Sequence, residues 1–175
     1  SALEGLGGVA IRPCRPGLLQ APELVRARTA RAMVKCAGPM GIARVRIGGE
    51  EGWLVKPMTF MNGSGGPVSS ALGFYKVAPA QMLVEHDEID LPRGTVRLKE
   101  AGGHGGHNGL RDLIAAQGDA FWRLRIGVGH PGTKKEVVDF VLTRAGADEQ
   151  RAIDETIAAG ADAIEEMLRT GAQVA

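Results

Sequence analysis

The chain has 175 residues, a formal net charge of +1, 44% hydrophobic and 23% charged residues, and two cysteines. A length of this order builds one domain that buries roughly 70% of its unfolded surface. The near-zero net charge excludes a polycation, so any nucleic acid must be met by a local basic patch.

Cys14 and Cys36 do not make a disulfide scaffold and lack zinc spacing; they read as reduced thiols. No run approaches the ~18 apolar residues of a membrane span. The first residues lack the basic-then-apolar layout of a secretory leader. The expectation is a cytoplasmic protein with no membrane partner.

Residues 1–40 are the least legible. Residues 5–11 form a possible strand after a glycine turn, and Pro13, Pro16 and Pro22 then break any long element. Residues 22–34 permit a helix. Arg26, Arg28, Arg31 and Lys35 make the most basic local segment, read as a solvated face.

From residue 42 the pattern sharpens. Ile42 to Ile47 alternates apolar and polar, Gly48-Gly49 is a two-residue turn, and Glu50 to Val55 returns, so a hairpin is predicted. Ser64 stands as a helix N-cap. Val68, Ala71, Leu72 and Tyr75 come next at helical spacing. Met82 to Val84 reads as a short buried strand ending in the acids Asp87, Glu88 and Asp90. Residues 95–99 form another strand with Thr95, Arg97 and Lys99 on one face. Asn108 or a neighbour opens a short helix with Leu110, Leu113 and Ile114 inward. Trp122, Leu124, Ile126 and Val128 alternate with Arg123, Arg125, Gly127 and Gly129, giving a strand with an apolar and a glycine-arginine face. A helix is predicted over 134–142. A last helix from Asp148 carries Ile153, Ile157, Ala161, Ile164 and Leu168 and ends at Gly171. Strands alternating with helices, plus one hairpin, give an α/β class with a twisted mixed sheet flanked by helices.

Chemistry concentrates in residues 84–109, which hold three of the four histidines and one of the two asparagines, Asn108; the other, Asn62, lies in a second polar cluster. The acids at 87, 88 and 90 cannot all point inward from an extended chain, which disfavours a metal site. One inward Asp that orients a histidine or activates water fits better. The glycine-histidine run at 102–107 is neither a Walker loop nor a dinucleotide fingerprint. It still offers backbone N–H groups to a phosphate or carbonyl as it opens a helix. His104 and His107 lack a third metal ligand in spacing. Ser64 only superficially matches a nucleophile elbow. Lys99 and Arg125, on polar strand faces, are shaped to clamp one phosphate. An unrelated small-molecule site on an α/β domain is the remaining reading from these residues alone.

Four segments resemble the bacterial peptidyl-tRNA hydrolase family. They are Phe60-Met61-Asn62-x-Ser64-Gly65, His86-Asp87-Glu88-Ile89-Asp90-Leu91-Pro92, Gly102-Gly103-His104-Gly105-Gly106-His107-Asn108-Gly109-Leu110, and Trp122-Arg123-Leu124-Arg125-Ile126-Gly127-Val128-Gly129-His130-Pro131-Gly132. The resemblance runs from about Gly41 to Gly171 within a single domain over 1–175, leaving 1–40 unmatched. It implies that family's single-domain fold and hydrolysis of the ester joining a peptide to the terminal ribose of tRNA. It implies no metal or organic cofactor, a monomer, and the tRNA acceptor end as partner. Carried over by motif, Asp87 orients the catalytic base; Asn62 and Asn108 hold the 3′ end and peptide backbone. Phe60 and Met61 line the crevice, His107, Gly105 and Gly106 join the binding surface, and Lys99 and Arg125 grip a tRNA phosphate. The family's Asn-Pro-Gly and Arg-His-Asn motifs have no counterpart, since no His precedes His86 and no Asn precedes Asn62. The candidates for a substitute base are His107 and His86; His86 adjoins Asp87 in the strand, so their side chains are expected to diverge. A relative that binds tRNA or other RNA without turnover is the alternative.

Overall fold

The structure is a computed structural model that describes residues 7–8, 35–37, 40–47, 50–132, 137 and 146–170. Its centre is strand β5 (Met82–Glu88), flanked by β1 (Gly7–Gly8) and β7 (Trp122–Gly127), both parallel to it. The edge strand β6 (Val96–Glu100) runs antiparallel to β7, making a four-stranded mixed sheet in the order β1-β5-β7-β6. The predicted hairpin forms as β3 (Met40–Ile47) and β4 (Glu50–Pro57), with Ile47 opposite Glu50. It belongs to a second, antiparallel sheet with β2 (Lys35–Ala37), not to the mixed one.

Helices cover both faces of the mixed sheet. Helix α1 (Gly65–Tyr75) buries Val68, Ala71 and Leu72, and α2 (Asn108–Gln117) buries Leu110 and Leu113. These pack with Met82, Val84 and Phe121, and with Met40 and Val55 of the antiparallel sheet. Helix α3 (Ala147–Thr170) places Ile153, Ile157 and Met167 on the opposite side, against Leu83, Leu124, Ile126 and Val128. Alternation along β5 divides its residues between the two layers, Val84 to one and Leu83 to the other. Each fully buried aliphatic side chain contributes about 1.5–3 kcal/mol to this packing. Trp53 stacks on Tyr75 at 4.6 Å and ties β4 to α1.

Several expectations are corrected. The strand predicted over 82–84 continues through Glu88, with Glu85, His86 and Asp87 all buried. A strand paired on both sides is held by its ladders, so polar residues at its end are carried inside with it. The arginine-glycine face of β7 is covered as well, because Arg123 is only 1% exposed. Ser64 occupies the N-cap position of α1 but does not cap it; its hydroxyl donates to the Met61 carbonyl at 2.8 Å. The Gly65 N–H instead donates to Asp112 Oδ2 at 2.6 Å. A Cβ on Gly65 would stand 2.7 Å from the Asp112 carbonyl oxygen, so glycine permits the close approach of α1 and α2. Gly7–Gly8 forms a strand within the predicted 5–11 segment. The predicted helix over 22–34, nearly all of that over 134–142, Cys14, Arg26, Arg28, Arg31 and Gly171 lie outside the described residues.

Candidate active site

The loop before α2 begins with Ala101 at φ 53° and Gly102 at φ 109°; Gly105 and Gly106 have φ of 55° and 86°. Glycine enters this left-handed region without a steric penalty. The loop is fastened internally by Gly106 N–H to His104 Nδ1 at 3.0 Å and by His107 N–H to the His104 carbonyl at 2.9 Å. It delivers His107 to the N-cap of α2, where Nδ1 accepts from the Leu110 N–H at 3.2 Å. Gly105 and Gly106 are exposed, with backbone open to a ligand.

The other ring nitrogen of His107 meets β5. Nε2 donates to Asp87 Oδ1 at 3.1 Å. The two bonds define the tautomer: Nε2 carries the proton and Nδ1 the lone pair. Burial alone would raise the Asp87 pKa, but the hydrogen bond from His107 and the nearby imidazoles outweigh it and hold the carboxyl below its ordinary value. Asp87 is therefore an ionised, buried carboxylate that orients the His107 ring, the pairing of acid–base sites.

His86 lies beside them. Its ring packs edge-on against His107 with centroids 5.1 Å apart. His86 Nδ1 donates to the Asp87 carbonyl at 2.8 Å, and Nε2 is buried without a partner. Burial first, and the neighbouring His107 second, lower its pKa to about 4. Such a group is closed to solvent and a poor proton acceptor at neutral pH. Strand alternation predicts that His86 and Asp87 diverge, yet both touch His107. Asp87 stands one residue from the end of β5, where its side chain still reaches the incoming ring.

Asn62 sits in a 3₁₀ turn, Met61–Gly63, and is exposed. Met61 joins this turn to the start of α2: its Cγ lies 2.8 Å from where a Gly109 Cβ would be. Asn62 and Asn108 are thereby carried to the same end of the sheet as Asp87. Asn108 is exposed and its side-chain oxygen accepts from Arg111 at 3.1 Å. Phe60 is 90% exposed.

The β6–β7 register sets Arg97 opposite Arg125 and Lys99 opposite Arg123, so four cations share one sheet face with His86. Lys99 is exposed. Arg125 is held by a carboxylate that the sequence reading does not pair with it. Its Nη2 and Nε donate to Glu88 Oε2 at 3.0 and 3.1 Å, and its side chain is only partly exposed. Sequence reasoning misses Glu88 as the partner of Arg125, Asp112 as the cap of α1, and the burial of Arg123 and Glu85. These pairings are hidden in the linear text because the partners lie 20 to 47 positions apart. Among the described residues no group of three His, Cys, Asp or Glu side chains converges to hold a metal ion.

Comparison with known proteins places the chain among relatives of one kind. The sequence model of one family, described as peptidyl-tRNA hydrolase, matches residues 19–175, beginning well before the segment that the motifs alone mark. The chain is 54% identical over 123 residues to a peptidyl-tRNA hydrolase of Xanthomonas campestris pv. campestris, 70% of this chain and 64% of that protein. It is 55% identical over 114 residues to one of Teredinibacter turnerae, 64% of this chain and 59% of that protein. The matches thus span less than two thirds of the length of these relatives. A crystal structure of peptidyl-tRNA hydrolase from Acinetobacter baumannii superposes with a TM-score of 0.86 at 34% identity, covering 98% of this chain and 92% of that one.

Proposed function

The chain belongs to the peptidyl-tRNA hydrolase family, and from that premise we propose that it hydrolyses the ester between peptide and tRNA, releasing tRNA for reuse. The observation that carries this reading is the convergence of Asp87, His107, Asn108 and the Met61–Gly63 turn at one end of the sheet. Ester hydrolysis needs a water to lose a proton as it attacks the carbonyl, and a group to take that proton. In this reading His107 is that group. Asp87 holds Nε2–H, orients the ring and stabilises the imidazolium that forms; Nδ1 accepts the proton. Nδ1 must then give up the Leu110 N–H, a 3.2 Å bond whose loss costs about 1 kcal/mol. The proton passes to the departing ribose oxygen. The side-chain amides of Asn62 and Asn108 recognise the neutral acceptor end and peptide backbone. Lys99 and Arg125 meet a tRNA phosphate, with Gly105 and Gly106 giving the backbone access. The reading makes the protein a monomeric, cytoplasmic enzyme without a cofactor. Among the described residues no helix is long and apolar enough to cross a membrane.

The test is release of peptide from purified peptidyl-tRNA by the wild-type chain and by Asp87→Ala and His107→Ala. Each variant is expected to lose roughly 10²–10⁴-fold in rate. Wild-type turnover no faster than buffer would reject the reading, and tRNA binding in that same sample would make the chain an RNA-binding relative without turnover.

A further inference from the structure

Arg123 is the second residue of β7 and is 1% exposed, the largest fully buried side chain described. Among the described residues no carboxylate forms an ion pair with it; Asp119 favours its charge from longer range, against the larger effect of burial. Its guanidinium donates from Nη1 to the Gly103 carbonyl at 2.9 Å and from Nη2 to the Gly102 carbonyl. It packs over the Phe121 ring at 4.8 Å, and Nε has no partner. Burying a cation without a carboxylate is costly, and an aliphatic side chain of similar volume would fill the space without that penalty. What a guanidinium adds is a planar fork that fixes two acceptors at once. Here the acceptors are consecutive carbonyls of the loop at 102–106.

That loop needs fixing from outside. Four of its five residues are glycine, three of them at positive φ. Ordering each residue opposes folding, and glycine has the widest choice of alternatives. One further tie holds its start: the Ala101 N–H donates to the Phe121 carbonyl at 3.0 Å. His107 comes directly after the loop, and its ring makes the 3.1 Å bond to Asp87. A shift of the loop therefore becomes a shift of His107 and Asn108 relative to a carboxylate fixed in β5.

We propose that Arg123 is a positioning residue: its buried guanidinium sets the conformation of the 102–106 loop and so the placement of His107 and Asn108 against Asp87. The kinetic consequence rests on the ester-hydrolysis reading; the structural consequence does not. The experiment uses the full chain, labelled with ¹⁵N-histidine, as wild type, Arg123→Met and Arg123→Lys. Ile157→Ala, on the opposite side of β7, serves as the control for simple loss of core stability. Arg123→Met is expected to lower kcat by about 10–100-fold and to raise KM by a smaller factor, because Asn108, Gly105 and Gly106 move with the loop while Arg125 keeps its place. The His107 ring signals are expected to move from the Nε2–H tautomer towards an average of the two. Arg123→Lys, which reaches one carbonyl only, is expected to fall between; should Arg123→Met not fold, the lysine variant carries both readouts. Retention of the His107 tautomer signature, with kcat lowered no more than in Ile157→Ala, overturns the proposal. Should wild type fail to turn over, the functional reading fails, and the ring signals alone still decide the role of Arg123.

Discussion

Glu85 is buried in β5 at 4% exposure, and burial pushes its pKa from 4.5 up to about 8. At neutral pH the folded chain therefore keeps a proton on Glu85 that the unfolded chain has released. Folding takes up that proton at every pH between about 4.5 and 8, so stability falls as pH rises through this window. At about 1.4 kcal/mol per unit, the penalty reaches about 3 kcal/mol at pH 7 and levels off near 5 kcal/mol above pH 8. Glu85→Gln has nearly the same shape and cannot ionise. Its stability advantage over wild type is expected to be smallest near pH 4.5, to climb by about 3 kcal/mol to pH 7, and to flatten above pH 8. His86 works in the opposite sense. Its folded pKa of about 4 means that the unfolded chain alone binds a proton below about pH 6.5, so stability is lost as pH falls through that range. Comparing the two proteins at each pH cancels this second slope. The assay is urea unfolding of both between pH 4.5 and 8.5. A stability difference that stays flat across that range would refute the assignment of Glu85 as a buried neutral acid.

Removal of Lys99 is expected to weaken tRNA binding several-fold and to reduce the salt slope of log K by about 1, measured by titration at several ionic strengths. Arg125→Ala should weaken it further, because it also leaves Glu88 unpaired beside the phosphate site. Equal affinity of wild type and both variants would refute the clamp; adding Glu88→Gln to Arg125→Ala should restore part of the loss. Asp112→Ala strips the partner from the Gly65 N–H and is expected to cost about 0.5–2 kcal/mol, seen as a fall of a few degrees in Tm. An unchanged Tm would show that α1 does not depend on this bond.

The sequence by itself determined the local elements and the residue types that are candidates for the site. The alternation over 42–55 specified a hairpin, and the helical spacing of Val68, Ala71, Leu72 and of Ile153, Ile157, Ala161 specified the buried faces of α1 and α3. These patterns are readable because secondary structure repeats over a few residues and burial follows the repeat. Asn62, Asp87 and Asn108 were also readable, as neutral amides and one acid among glycines. Only the tertiary structure decided which charges are surface and which are buried. Nothing in the linear text marks Glu85 or Arg123 as buried, or Glu88 as the partner of Arg125. Their fates depend on strand order and register, which bring Glu88 to Arg125 and Gly102 and Gly103 to Arg123 across 20 to 37 residues. The same long-range pairing chose His107 as the histidine that Asp87 holds, since side-chain chemistry names the partners but only the folded backbone sets the distance between them.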